Sequence, residues 1–174
     1  DVIAYDFTGA EKFRWSLPAG FQLQGLDLLP GGRLLAVDGS GSGSLATFDA
    51  LTGSFLGAVA AISASTEAVA VDGANVWQLT DDRIHLTRLI DGGEVGSIVN
   101  AVQGEFYEGT AMANLGDALM LGAENGDWFR VSKTDGSVLG SGNNGLQMYD
   151  LQPVPGGDDG HHVSVPDAGA SSLA

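Results

Sequence analysis

Cysteine is absent from the 174 residues. That excludes disulfide frameworks, thiolate nucleophiles and cysteine-ligated zinc, without placing the protein in any one compartment. Basic residues are nearly as scarce: 7 Lys and Arg face 22 Asp and Glu, for a formal net charge of −15 and a pI near 4.1. Holding phosphates takes clustered Lys and Arg, so nucleic acid is not an expected partner and anionic lipid is disfavoured. Charged residues make up 17% of the chain, below the roughly 25% of an average domain. No apolar run approaches the roughly 18 residues of a membrane helix. G-x-S-x-G, H-E-x-x-H and P-loop motifs are missing, as is any N-x-[ST] sequon. The chain begins at Asp1 rather than Met, so a segment upstream is expected to have been removed.

Glycine, by contrast, is abundant, at 27 residues, about twice the usual share. A hydrophobic content of 44% is too high for intrinsic disorder. At this length one domain can bury roughly 70% of the surface its unfolded chain exposes. Period-2 alternation dominates, helical periodicity is lacking, and turn signals recur every 8 to 12 residues, so the fold class is all-β.

One hairpin signal returns four times: an extended segment, a turn ending in glycine, then a second extended segment. The copies end at Gly9, Gly53, Gly92 and Gly136, and they read Ile3–Gly9, Ala46–Gly53, His85–Gly92 and Phe129–Gly136. Glycine suits a turn that needs positive φ. A second signal runs out of phase with it. Leu26-Asp27-Leu28-Leu29-Pro30-Gly31-Gly32 returns 125 residues later as Leu151-Gln152-Pro153-Val154-Pro155-Gly156-Gly157. Val69-Ala70-Val71-Asp72-Gly73 and Met112-Ala113-Asn114-Leu115-Gly116 lie between them at matching phase. A period of about 42 residues with four short strands per repeat marks a β-propeller.

Counting strands A to D outward from the axis, residues 1–16 supply only C and D. Full blades are expected at about 25–60, 67–101 and 109–141, and residues 145–165 supply only A and B. The reading is a small propeller of four blades of four antiparallel strands, closed by pairing the two half-blades into a composite of 145–165 and 1–16, which removes two sheet edges. A piece of a larger ring and a different β fold are the alternatives.

Segments such as Leu34-Leu35-Ala36-Val37-Asp38-Gly39, followed by Ala46-Thr47-Phe48-Asp49 and Thr52-Gly53, resemble the repeats of NHL, YVTN and quinoprotein-type propellers. That resemblance implies architecture rather than activity. Val165-Pro166-Asp167-Ala168-Gly169-Ala170-Ser171 resembles the opening of VPD-type PEP-CTERM sorting signals of Gram-negative bacteria. It implies an exported protein at the outer cell surface or outside the cell, with residues 166–174 as a tail. Any membrane attachment would run through a C-terminal helix that this chain does not contain.

Candidate sites are sparse. Asp158, Asp159, His161 and His162 bring carboxylates and imidazoles together, the donor types of a divalent-metal site. Adjacent His residues on a strand point to opposite faces, however, which favours a solvent-exposed cluster. His85 lies beside Arg83 with no acidic partner at a diagnostic spacing, and a packed or surface role is expected. The run Asp38-Gly39-Ser40-Gly41-Ser42-Gly43-Ser44 loosely resembles the start of a calcium loop but lacks its later acids. Asp81, Asp82, Asp91 and Asp135 fall in turns, where Asx side chains brace the backbone. Trp15, Trp77 and Trp128 lie in strands of three different blades and are expected to fill the space between sheets.

No catalytic residue, cofactor or resident metal is expected. The leading reading is a non-enzymatic, exported structural protein whose main partner is a copy of itself, with surface polysaccharide as a second partner class. Self-association is expected through outer strands such as Ser54–Ala60 and Glu94–Asn100, and through an interface built from Val2, Ile3, Tyr5, Val165, Pro166, Asp167 and Leu173. A small-ligand or glycan-binding propeller is the alternative. An enzymatic propeller is disfavoured by loops of two to seven residues and by only seven basic side chains.

Overall fold

The computed structural model describes residues 1–5, 8–40, 43–103, 111–123 and 125–145, and the backbone alone of 151–153 and 162–164. Three antiparallel four-stranded sheets follow one another along the chain. The first sheet is β3 (Leu23–Leu29), β4 (Arg33–Asp38), β5 (Ser44–Asp49) and β6 (Phe55–Ala60). The second is β7 (Ala68–Asp72), β8 (Asn75–Leu79), β9 (Arg83–Arg88) and β10 (Glu94–Val99). The third is β11 (Ala111–Asn114), β12 (Ala118–Gly122), β13 (Asp127–Ser132) and β14 (Val138–Asn143). Two hairpins flank them, β1 (Val2–Tyr5) with β2 (Glu11–Trp15), and β15 (Leu151–Pro153) with β16 (His162–Ser164).

First strands sit side by side: β3 lies against β7, β7 against β11 and β11 against β15. This is the plan of a small four-bladed propeller, with three complete blades and the strands of a fourth divided between the hairpins. Among the described residues β1 pairs with β2 and β16 with β15, and no ladder joins the two hairpins.

Each sheet is sandwiched, which explains why β4 and β12 read as apolar runs rather than alternations. In β4, Leu34 and Ala36 pack with Trp15, Ala46 and Phe48 on the side of the first hairpin. Leu35 and Val37, one residue out of step, pack with Leu45, Val69 and Val76 on the side of the second sheet. Trp77, Leu79 and Ile84 then meet Met112, Leu119, Leu121 and Val131 between the second and third sheets. The core is therefore a series of inter-blade layers.

The glycine turns between third and fourth strands serve a second purpose. Gly92 has φ of +71°, and a Cβ there would lie 2.7 Å from the carbonyl oxygen of Ala60, the last residue of β6. Gly136 (φ +79°) meets Val99, the last residue of β10, in the same way, and Gly53 (φ +70°) meets Trp15, the last residue of β2. Each turn thus seats on the end of the preceding outer strand, which only a residue without a side chain allows.

Candidate functional site

Among the described residues, the outermost strands β6, β10 and β14 each have one edge unpaired. In β6 the sequence Phe55-Leu56-Gly57-Ala58-Val59-Ala60 holds no charge and no proline, and Phe55 and Leu56 are 59% and 54% exposed. In β14, Val138 and Leu139 are exposed at the corresponding place, and in β10 Val95 and Val99 are exposed behind a single charge, Glu94. Natural edges are usually guarded by lysine, proline or bulges. Here the guard is a bulge near the start of each outer strand, which leaves Leu56, Val95 and Leu139 out of the ladder register. Main-chain donors and acceptors beyond it remain available to an added strand.

A second feature is a cleft of about 300 Å³ between the first and second sheets. Leu29, Leu35, Leu45, Val59 and Leu89 form its aliphatic wall, with the Thr47 hydroxyl and the exposed Arg33 as its polar members. The Nε–H of Arg33 donates to the Pro30 carbonyl at 3.1 Å. Asp49 lies opposite Arg33 in the ladder but is committed to its own turn. There the N–H of Thr52 and then its hydroxyl, helped by the N–H of Leu51, hold its carboxyl below the usual carboxylate range.

Across the next inter-blade gap the polar arrangement is closed. The Lys133 ammonium donates to Asp72 Oδ2 (2.9 Å), Asn114 Oδ1 (2.6 Å) and the Gly116 carbonyl (2.8 Å), and lies 5.8 Å from the Trp77 ring centroid. Trp77 Nε1–H donates to the same Asp72 oxygen at 2.9 Å. Burial pushes the Asp72 carboxyl up, but the bonds from Lys133, Trp77 and Asn114 outweigh it and hold the group low. With three acceptors engaged, Lys133 is a fastener between sheets rather than a nucleophilic amine. Asp27 fastens the preceding pair of sheets, accepting the Val71 N–H at 2.6 Å.

The expected site residues fall as follows. His85 does have an acidic partner: its Nδ1 lies 2.8 Å from Glu94 Oε1, a bond that is the main cause of the lowered Glu94 carboxyl. Spacing alone conceals the pair, since β9 and β10 bring it together across the ladder. Arg83 donates to the Ser97 hydroxyl beside them, at 3.0 and 2.6 Å. Asp38 accepts the N–H groups of Gln22 and Ser40, at 3.1 and 3.0 Å. Asp91 is held low by Arg88 and then by the N–H of Gly93, and Asp135 by the N–H of Ser137 and by the Ser132 and Ser137 hydroxyls. In Asp82 the carboxylate meets the Thr80 hydroxyl at 3.4 Å, and in Asp81 the main-chain carbonyl accepts from Asn100 at 3.2 Å.

Trp15 and Trp77 are buried and Trp128 is half-buried, each against a sheet face, with the Trp15 ring 5.4 Å from that of Phe48 and tilted by 36°. Val2 packs into the layer of Trp15, Ile3 is half-buried, and Tyr5 is exposed. Asp158, Asp159, His161, Val165, Pro166, Asp167 and Leu173 lie outside the described residues, as does the side chain of His162. The described residues contain no group of three or more potential metal ligands.

No family model and no curated protein matches the chain. Solved structures do. A Myxococcus xanthus glutaminyl cyclase is 15% identical at a TM-score of 0.59, over 79% of this chain and 60% of that one. The Neurospora crassa Pan2 WD40 domain is 10% identical at 0.51, over 78% and 42%. A computationally designed protein, Ika4, is 18% identical at 0.52, over 84% and 91%. This chain therefore spans less than two thirds of the two natural structures. At such identities the likeness shows the propeller fold alone.

Proposed function

We propose that this chain is a non-enzymatic structural module, exported to the outer cell surface or beyond it, that associates with copies of itself through the open edges of its outer strands. One observation carries the reading: β6 presents an uncharged apolar edge with Phe55 and Leu56 exposed, in a chain with a net charge of −15. Such an edge is a template for pairing with another strand, while the surplus of acid keeps unassembled chains apart. A contact of this kind between unlike surfaces that does not close produces a filament. The likeness of residues 165–171 to an export signal supports the surface location, and surface polysaccharide remains the second partner class.

The test is electron microscopy with light scattering on the purified chain and on Phe55→Lys. Regular polymers of a 17.8 kDa subunit that revert to monomers in the variant are the expected result. A monodisperse wild-type monomer at all concentrations overturns it.

A further inference from the structure

Propeller repeats supply their own control, because each inter-blade gap is built from residues at matching ladder positions. Leu35 pairs with Asp27 and Thr47, as Trp77 pairs with Ala70 and Leu86. Arg33 pairs with Leu29 and Asp49, as Asn75 pairs with Asp72 and Arg88. Leu89 and Lys133 each stand three residues before a turn glycine. In the gap between the second and third sheets these places hold Trp77, Leu86 and the Asp72–Lys133 pair, with Leu86 packed on the cluster that holds Trp77 and the Lys133 ammonium over its ring.

In the gap between the first and second sheets every one of those places is changed. Leu35 replaces the indole, Thr47 replaces Leu86, and Leu29 and Leu89 replace the ion pair, which leaves the cleft of about 300 Å³ with an aliphatic wall. Arg33 stands where the other gap has Asn75. Arg14, Arg88, Arg130 and Lys133 each hold a carboxylate. Arg33 has no carboxylate within ion-pair distance among the described residues, although the chain carries 22 of them. The two gaps thus differ at each of these ladder positions, and the difference leaves the first with an open cleft.

We propose that this cleft binds a small aliphatic carboxylate, its chain among Leu29, Leu35, Leu45 and Leu89 and its carboxylate on the Arg33 guanidinium. Guanidinium matches a carboxylate with two parallel hydrogen bonds, and a single cation suits a single negative charge. A dianion would be repelled by the surrounding net charge. The volume lies at the small end of ligand pockets and accommodates about ten non-hydrogen atoms at ~30 Å³ each. The cleft shares β6 with the proposed assembly edge, through Leu56, Gly57, Ala58 and Val59, but binding there calls for no added strand.

Equilibrium dialysis of octanoate tests it, on the wild type and on the Phe55→Lys chain, so that the cleft is read with the β6 edge free as well as assembled. Saturable binding is expected, weakened about tenfold in Arg33→Gln, the loss of one charge-assisted contact. Octan-1-ol should bind the wild type as weakly as octanoate binds that variant, and acetate should not be retained. Thr47→Leu installs the residue of the matching gap and should abolish retention in a chain that still folds by circular dichroism. Non-saturable retention of octanoate, equal retention of octan-1-ol, or unchanged retention in either variant overturns the proposal.

Discussion

Lys133 sits 61 residues from Asp72 in the chain, yet its ammonium joins the second sheet to the third. Its side chain is 13% exposed and that of Asp72 is 38% exposed. Truncating it strands a partly buried carboxylate on its Trp77 donor. Lys133→Ala is expected to cost about 1–2 kcal/mol, discounted for the exposure of Asp72, and urea denaturation measures it. The low Asp72 carboxyl fixes the pH window. Its folded pKa lies below the ordinary value of 3.8, so the pair's contribution is complete above that value and is lost as pH falls through the lower, folded pKa. Wild type and variant should therefore differ by a constant amount from neutrality down to about pH 5, and converge in stronger acid. Nothing in sequence spacing announces this pair or that of His85 and Glu94. Both depend on which strands become neighbours.

At the scale of the element, the turn glycines were legible at once, because Gly53, Gly92 and Gly136 recur at a regular interval in front of extended segments. Their positive φ was predictable, but their seating against the preceding outer strand was not. The two roles are separable. Gly73 has φ of +64° and open space within 4 Å of where a Cβ would stand, whereas a Cβ on Gly92, at +71°, would meet the Ala60 carbonyl at 2.7 Å. Gly73→Ala is expected to cost about 1–2 kcal/mol for the left-handed conformation alone. Gly92→Ala should cost more, because it also separates two blades, and comparative thermal unfolding reads the difference. The second strand β4 shows the opposite case, in which burial on both faces writes an unbroken apolar run, Leu34-Leu35-Ala36-Val37. The cleft was hidden because it arises from what Thr47 and Leu35 fail to fill.

For the molecule as a whole, a net charge of −15 opposes every contact between copies, and that opposition is long-range only at low salt. If open edges drive association, light scattering at fixed protein concentration should rise between about 10 mM and 0.15 M salt as the Debye length contracts from roughly 30 to 8 Å. It should rise again as pH approaches 4.1, the isoelectric point. Association held by ion pairs would respond to salt in the opposite sense. The fold class followed from glycine spacing and strand periodicity, whereas the cleft lies where the two inter-blade gaps differ.

Three times a turn glycine seats on the end of the outer strand before it, on the Trp15 ring and on the main chain of Ala60 and Val99. A joint that refers only to its immediate predecessor carries no count. Adding or removing a whole unit by gene duplication or deletion would leave each such joint unchanged, so that contact would need no new interface.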